Sequence, residues 1–164
     1  MKFIAYPFLN EENDNLVDHE ILTDYLASSL GSLVYAENPL HKETKMICEK
    51  VLHLNGSLRG KCAINDDDIA KLSSIYDELE KRNLDNLKMF TLPVGHKLAC
   101  EYHKVRGLSK ISCRNLYKLK NNGIEIDDNI FKFLNLLTNL LYLFSLEINR
   151  VNGVFETEFI SKSY

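Results

Sequence analysis

Only 7 glycines and 3 prolines interrupt these 164 residues. No alternating apolar and polar run of useful length occurs either, which argues against a sheet and for a helical protein. An excess of charge of one sign is equally lacking. The 20 basic and 23 acidic side chains leave a formal charge of -3 and a pI near 6.0, spread along the chain, so no overall field favours nucleic acid or an anionic membrane. Any anion site must be local. The four cysteines, Cys48, Cys62, Cys100 and Cys113, form no C-x-x-C pair, and the five histidines, His19, His41, His53, His96 and His103, lack zinc-site spacing. Free thiols and no protein-built metal site are therefore expected. The first residues, MKFIAYPFLNEENDN, carry one lysine, a very short apolar run and then acids, unlike a secretory signal. This points to a cytoplasmic protein. KFIAYPFL is extended in character, and Pro7 keeps it from being a strand interior.

What the chain does have is 45% hydrophobic content, enough for one packed core, so residues 1–164 are expected to form a single domain. Five helical stretches follow from apolar spacing and end signals. The first covers Asn15 to Tyr35, with Val17, Ile21, Leu22, Tyr25, Leu26, Leu30, Leu33 and Val34 as its apolar face and Gly31 allowing close approach of another helix. The second begins near Pro39 and continues through Met46, Ile47, Val51 and Leu54 to Asn55-Gly56. Asn65 to Asp68 announce the third with side chains that cap free N–H groups; it runs to about Arg82 with Ile69, Leu72, Ile75, Tyr76 and Leu79 inward. The fourth starts after Pro93-Val94-Gly95 and closes at Asn121-Asn122-Gly123. A fifth runs from Asp127-Asp128 to Asn152-Gly153. Its stretch IFKFLNLLTNLLYLFSLEI is apolar almost all round, yet Lys132, Asn135, Thr138, Asn139 and Glu147 mark a bundle helix rather than a membrane span. The tail GVFETEFISKSY reads as a short surface extension.

Three constellations carry chemistry. On the fourth helix His103, Arg106, Lys110 and Arg114 are spaced three, four and four apart, which puts several positive groups within reach of one polyphosphate. A solvated basic edge has the same spacing. Asp24, beside apolar positions of the first helix, tilts the balance, because a paired arginine such as Arg106 keeps a defined fork for phosphate. On the fifth helix Asn135 and Asn139 flank Thr138; they serve either register-fixing hydrogen bonds between helices or a carboxamide-lined ligand cleft. Phe90-Thr91-Leu92-Pro93-Val94-Gly95 delivers an aromatic ring and then breaks before a helix start, whose free N–H groups suit an anion, although one glycine is a weak signal.

Together these stretches resemble the ATP:cob(I)alamin adenosyltransferase family of the propanediol-utilisation type. Its pattern F-x-L-P-G/S-G is similar to Phe90 through Gly95, and its histidine and A-R-x-V-C-R-R-A-E-R are matched in spacing by His103 and Arg106. The family's Y/F-L-N-R-L-S-D-x-L-F resembles Phe133-Leu134-Asn135-Leu136-Leu137-Thr138-Asn139-Leu140-Leu141-Tyr142, and its D-E-L-N-S-x-x-G resembles Asp24 through Gly31. The resemblance spans about Asp18 to Asn149. It implies an all-α, five-helix up-and-down bundle assembled as a homotrimer, with active sites between subunits. The implied reaction transfers the 5′-deoxyadenosyl group of ATP to cob(I)alamin with Mg2+ assisting. The implied roles are phosphate contact by Arg106 paired with Asp24, nucleotide contact by Asn135, and pressure of Phe90 on the corrin's lower face, with His103, Lys110 and Arg114 completing the ligand-binding set. Departures accompany the match. The family's T-x-T-G-D-x-G-x-T loop has no counterpart in MKFIAYPFLNEENDN, and Lys110, Ile111, Cys113, Leu136 and Asn139 stand where the patterns have arginine, arginine, glutamate, arginine and aspartate. These changes support an alternative: a catalytically impaired relative that binds a corrinoid or stabilises a partner subunit.

Overall fold

A computed structural model describes Leu9 and residues 16–163. Five helices follow in order: α1 (Val17–Val34), α2 (His41–Gly56), α3 (Asp66–Arg82), α4 (Lys97–Asn121) and α5 (Asp128–Val151), with one 3-10 turn at Asn86–Lys88. They form an up-and-down bundle. The extended character read for KFIAYPFL falls almost wholly outside the described residues.

The ends are set by local chemistry. Asn65 caps α3 by a reciprocal pair of bonds, Asp68 N–H to Asn65 Oδ1 at 3.0 Å and Asn65 N–H to Asp68 Oδ2 at 3.1 Å. Gly123 and Gly153 take positive φ just past α4 and α5, the closure that glycine allows. Pro39 precedes α2 rather than opening it. The turn there is held by Asn38, whose Oδ1 accepts from Leu40 N–H and whose amide donates to Leu33 O and to the Tyr102 hydroxyl. Thr44 Oγ1 lies 2.6 Å from that same hydroxyl. A buried tyrosine is thus fully satisfied while its ring packs edge-on against Phe144, with centroids 5.2 Å apart.

In packing order the helices run α2, α1, α4, α5, α3, and an ion pair between Lys50 and Asp68 joins α2 to α3. The core draws on every helix, with Leu26, Leu30, Ile47, Leu54, Leu72, Leu116, Phe133, Leu137 and Phe144 fully buried. On α4 the buried positions Leu98, Ala99, Tyr102, Val105, Ser109, Ser112, Leu116 and Leu119 follow helical spacing. The small Ser109 lets α5 come close, its Oγ bonding to Thr138 Oγ1 at 2.7 Å. By length and composition α5 qualifies as a membrane span, yet 67% of that stretch is buried inside the bundle. Glu147 on it is buried too, held by Arg150, Arg82 and Asn83. Those partners hold its carboxyl below the usual range, the Arg150 bond first.

Several expectations need correction. Ile21 and Tyr25 face outward on α1, and the buried face instead carries His19, Glu20 and Thr23 among Leu26, Ala27 and Leu30. Polar groups occupy these positions because α2 and the turn after it supply partners: Asn55 donates to Glu20 O and Thr23 Oγ1, and Arg59, beyond the helix end, pairs with Glu20. Gly31 does face α2, but an added Cβ would sit 3.8 Å from Cys48 Sγ, ordinary contact, so glycine is not required there. The C-terminal tail is more than an extension. Leu92 N–H donates to Thr157 O and Phe159 N–H to Phe90 O, at 2.8 and 2.7 Å, so it lies antiparallel along the linker before α4 and braces it.

Candidate functional site

The linker from Phe90 to Gly95 and the facing flanks of α4 and α5 meet at Tyr142. Phe90 is 82% exposed at the edge of the bundle. Next to it, Thr91 Oγ1 shares a 2.9 Å hydrogen bond with the Tyr142 hydroxyl. The face of the same ring receives the Arg106 guanidinium, whose carbon lies 4.9 Å from the ring centre. His103, one turn earlier on α4, sets its ring at 52° to Tyr142 with centroids 6.1 Å apart.

Two nitrogens of this cluster are buried without an acceptor or donor among the described residues: Arg106 Nε and His103 Nε2. Burial lowers the His103 pKa, and the neighbouring Arg106 charge lowers it further. A neutral imidazole beside a permanent cation results. Arg106 has no carboxylate partner among the described residues, so its charge is met by the Tyr142 ring. Unpartnered buried nitrogens are rare. Here both belong to the cluster around the Tyr142 ring.

Beyond Arg106 the flank continues with Lys110, Asn135 and Asn139, all exposed. This corrects the reading of Asn135 and Asn139 as buried amides. Among the described residues Asn135 reaches only the Tyr117 hydroxyl, at 3.5 Å, and the buried member of the group is Thr138, bonded to Leu134 O and Ser109. The carboxamides therefore form a polar strip facing outward. Arg114 departs from the basic line. At about 100° per residue it has rotated away from Arg106, and it lines a groove between α1 and α4 with Asp18, Ile21, Leu22, Ile111, Asn115 and Lys118, about 320 Å³ in volume.

Asp24 is exposed and forms no pair with Arg106 within the chain. It shares a helix flank with Ala27 and Gly31, the residues that meet Cys48 of α2, whereas Arg106 lies on the α5 side of α4. Within the chain the two face different neighbours, α2 and α5.

The start of α4 is closed to anions. Asn149 of α5 accepts from His96 N–H through Oδ1 at 2.9 Å and donates to Val94 O and to Glu156. His96 Nδ1 in turn accepts from Leu98 N–H. Gly95 has a φ of 132°, and a Cβ there would collide with the Asn149 carboxamide. Close packing, rather than phosphate, requires this glycine. A hollow of about 580 Å³ lies elsewhere, by Arg82, Asn83, Lys88, Arg150 and Phe155. Both of its arginines are already committed to Glu147.

Tyr142, Thr91 and Asn149 are the residues whose weight the sequence hid. Tyr142 sits three and seven residues after Asn139 and Asn135, so the outward strip of α5 does lead to it, but its bond to Thr91 depends on where the linker returns.

Comparison with known proteins supplies the frame. The family model for cobalamin adenosyltransferase matches residues 13–148. No curated protein sequence matches the chain. Among solved structures, a phenylalanine-to-alanine variant of a PduO-type ATP:corrinoid adenosyltransferase from Lactobacillus reuteri, complexed with cobalamin and ATP, superposes with a TM-score of 0.81 at 18% identity, covering 92% of this chain and 88% of that one. A phenylalanine-to-histidine variant from the same organism, with the same ligands, gives 0.80 at 16% identity over 98% and 97%. An arginine-to-lysine variant complexed with ATP gives 0.78 at 19% over 91% and 89%.

Proposed function

The chain belongs to the cobalamin adenosyltransferase family, and on that premise we propose that it transfers the 5′-deoxyadenosyl group of ATP to cob(I)alamin. The observation that carries this reading is the cluster at Tyr142: a basic flank with two unpartnered buried nitrogens, set beside a linker that holds an exposed aromatic ring.

In the reaction the cobalt(I) electron pair attacks C5′ of ATP, the C5′–O bond breaks, and triphosphate leaves with that bond's electrons. Negative charge builds on the leaving phosphates. Arg106 and Lys110 face the place where it develops, and fixed cations there stabilise the transition state more than the ground state. Neutral His103 offers a second polar contact without adding positive charge, and Asn135 meets the nucleotide. The Phe90 ring presses on the corrin's lower face and keeps water and an axial ligand away, which eases formation of the cobalt(I) nucleophile. Among the described residues no group of three His, Cys, Asp or Glu side chains is arranged to hold a metal. Magnesium therefore enters with the triphosphate, as part of the substrate.

Asp24 and Arg106 face different neighbours within the chain, so their pairing belongs between subunits, in a homotrimer with Arg114 near the α1 edge of the contact. A cytoplasmic, soluble assembly fits the burial of α5 and the mixed surface charge. Lys110, Ile111 and Cys113 favour a second reading, a relative that binds corrinoid without turnover, since lysine keeps the charge but not the planar fork of arginine. One assay decides. Purified protein, ATP, magnesium and chemically reduced cobalamin should yield the spectrum of adenosylcobalamin; bound cobalamin without product supports the second reading, and no binding of either substrate rejects both.

A further inference from the structure

Tyr142 is half-buried on α5 and makes two contacts of different chemistry with two different elements. Through its hydroxyl it bonds to Thr91 on the linker, and through its ring it carries the Arg106 guanidinium of α4. Its own position is well fixed: Ser145 Oγ donates to the Tyr142 carbonyl at 2.7 Å, and the neighbouring Leu141 and Leu143 are buried. Phe90, one residue from Thr91, has little else to orient it. Its ring is exposed, and its backbone is tied to the tail by the bond from Phe159 N–H.

We infer that Tyr142 is a positioning residue for both substrates: its hydroxyl anchors Thr91, and with it the Phe90 ring, while its ring sets the orientation of Arg106. The inference rests on the adenosyltransferase reading above. It gives the corrin side and the phosphate side of the site one shared support. The two contacts are separable, because Tyr142→Phe removes the hydroxyl and keeps the ring, whereas Tyr142→Leu removes both.

The test measures binding of cob(II)alamin by its absorption spectrum and of MgATP by calorimetry, in wild type, Tyr142→Phe, Thr91→Val, the double variant and Tyr142→Leu. Loss of one neutral hydrogen bond should weaken cob(II)alamin binding on the order of fivefold in each single variant, with the double variant no weaker than either. Nucleotide affinity should stay unchanged in these three. Tyr142→Leu should in addition weaken MgATP about tenfold, as expected for loss of a partly buried cation–ring contact. A purely structural role would move melting temperature and both affinities together. Unchanged cob(II)alamin binding in both single variants, or additive losses in the double, overturns the inference while leaving the adenosyltransferase reading intact. A wild type that binds neither substrate overturns both.

Discussion

A guanidinium resting on a tyrosine ring, with one nitrogen buried and unmet, is held within its own chain by stacking rather than by a salt bridge. Its removal should therefore cost the fold little and the ligand much. Arg106→Ala is expected to abolish measurable MgATP binding by calorimetry, while chemical denaturation changes by only about 1 kcal/mol, the worth of one cation–ring contact. Unaltered nucleotide affinity would remove Arg106 from the site. Gly95 presents the opposite case. It touches no ligand in this reading, but the φ of 132° and the Asn149 carboxamide leave no room for a methyl group. Gly95→Ala should destabilise by about 2 kcal/mol or more, from backbone strain plus disruption of the bonds Asn149 makes to His96 and Val94. Denaturant midpoints check this, and a neutral result would mean that Asn149 moves aside freely.

Between elements, the α1–α2 contact contains a group that titrates against the fold. His19 is fully buried, its Nε2–H donates to Leu54 O at 3.3 Å, and its Nδ1 has no partner among the described residues. Burial pulls its pKa below 6.5, opposed by the Leu54 carbonyl and by Glu20, itself paired with Arg59. The folded state thus favours neutral histidine. Its contribution to stability is complete above the unfolded value near 6.5 and is lost as pH falls through the lower folded value. Glu147, whose pKa is also lowered, contributes in the same direction but in a more acid window, below the ordinary glutamate value near 4.3. Thermal melts should show stability declining from about pH 6.5 downward, and His19→Gln should flatten that first decline while leaving the second. An unchanged slope would mean that His19 does not govern it. Such a pair was not legible in the sequence. Helix ends were, because Asn65, Pro93 and Gly123 act locally, the first through its side-chain cap and the others through their own backbone; faces were only partly so. Ile21 and Tyr25 looked like core, yet α2 covers the polar side of α1 and leaves the apolar pair exposed. Likewise Asn135 and Asn139, set in a run of leucines, are exposed. Hydrophobic spacing tells how a helix is faced; which neighbour covers which flank is decided by contacts distant in sequence.

At the scale of the whole molecule, the position of Asp24 becomes informative. It projects from the flank of α1 next to α2, while Arg106 sits on the α5 side of α4, and α1 and α5 pack against opposite sides of α4. If the two act in one site, that site must be completed by a second copy of the chain. Cyclic assemblies make such contacts head to tail, each interface taking one surface from each protomer. A defect in Asp24 and a defect in Arg106 should then complement one another when carried on different chains. Asp24→Ala and Arg106→Ala are each expected to be inactive alone in the cobalamin assay. Co-expressed in equal amounts, they give mixed assemblies of the proposed homotrimer in which half the chains offer an intact Asp24 and half an intact Arg106. About a quarter of the interfaces then combine both, so activity should return to roughly a quarter of wild type. A pairing within the chain predicts no recovery at all, because every chain carries one lesion. Size-exclusion chromatography of the mixture shows whether assembly itself survived, and an intact trimer with no recovered activity would place Asp24 and Arg106 in separate roles.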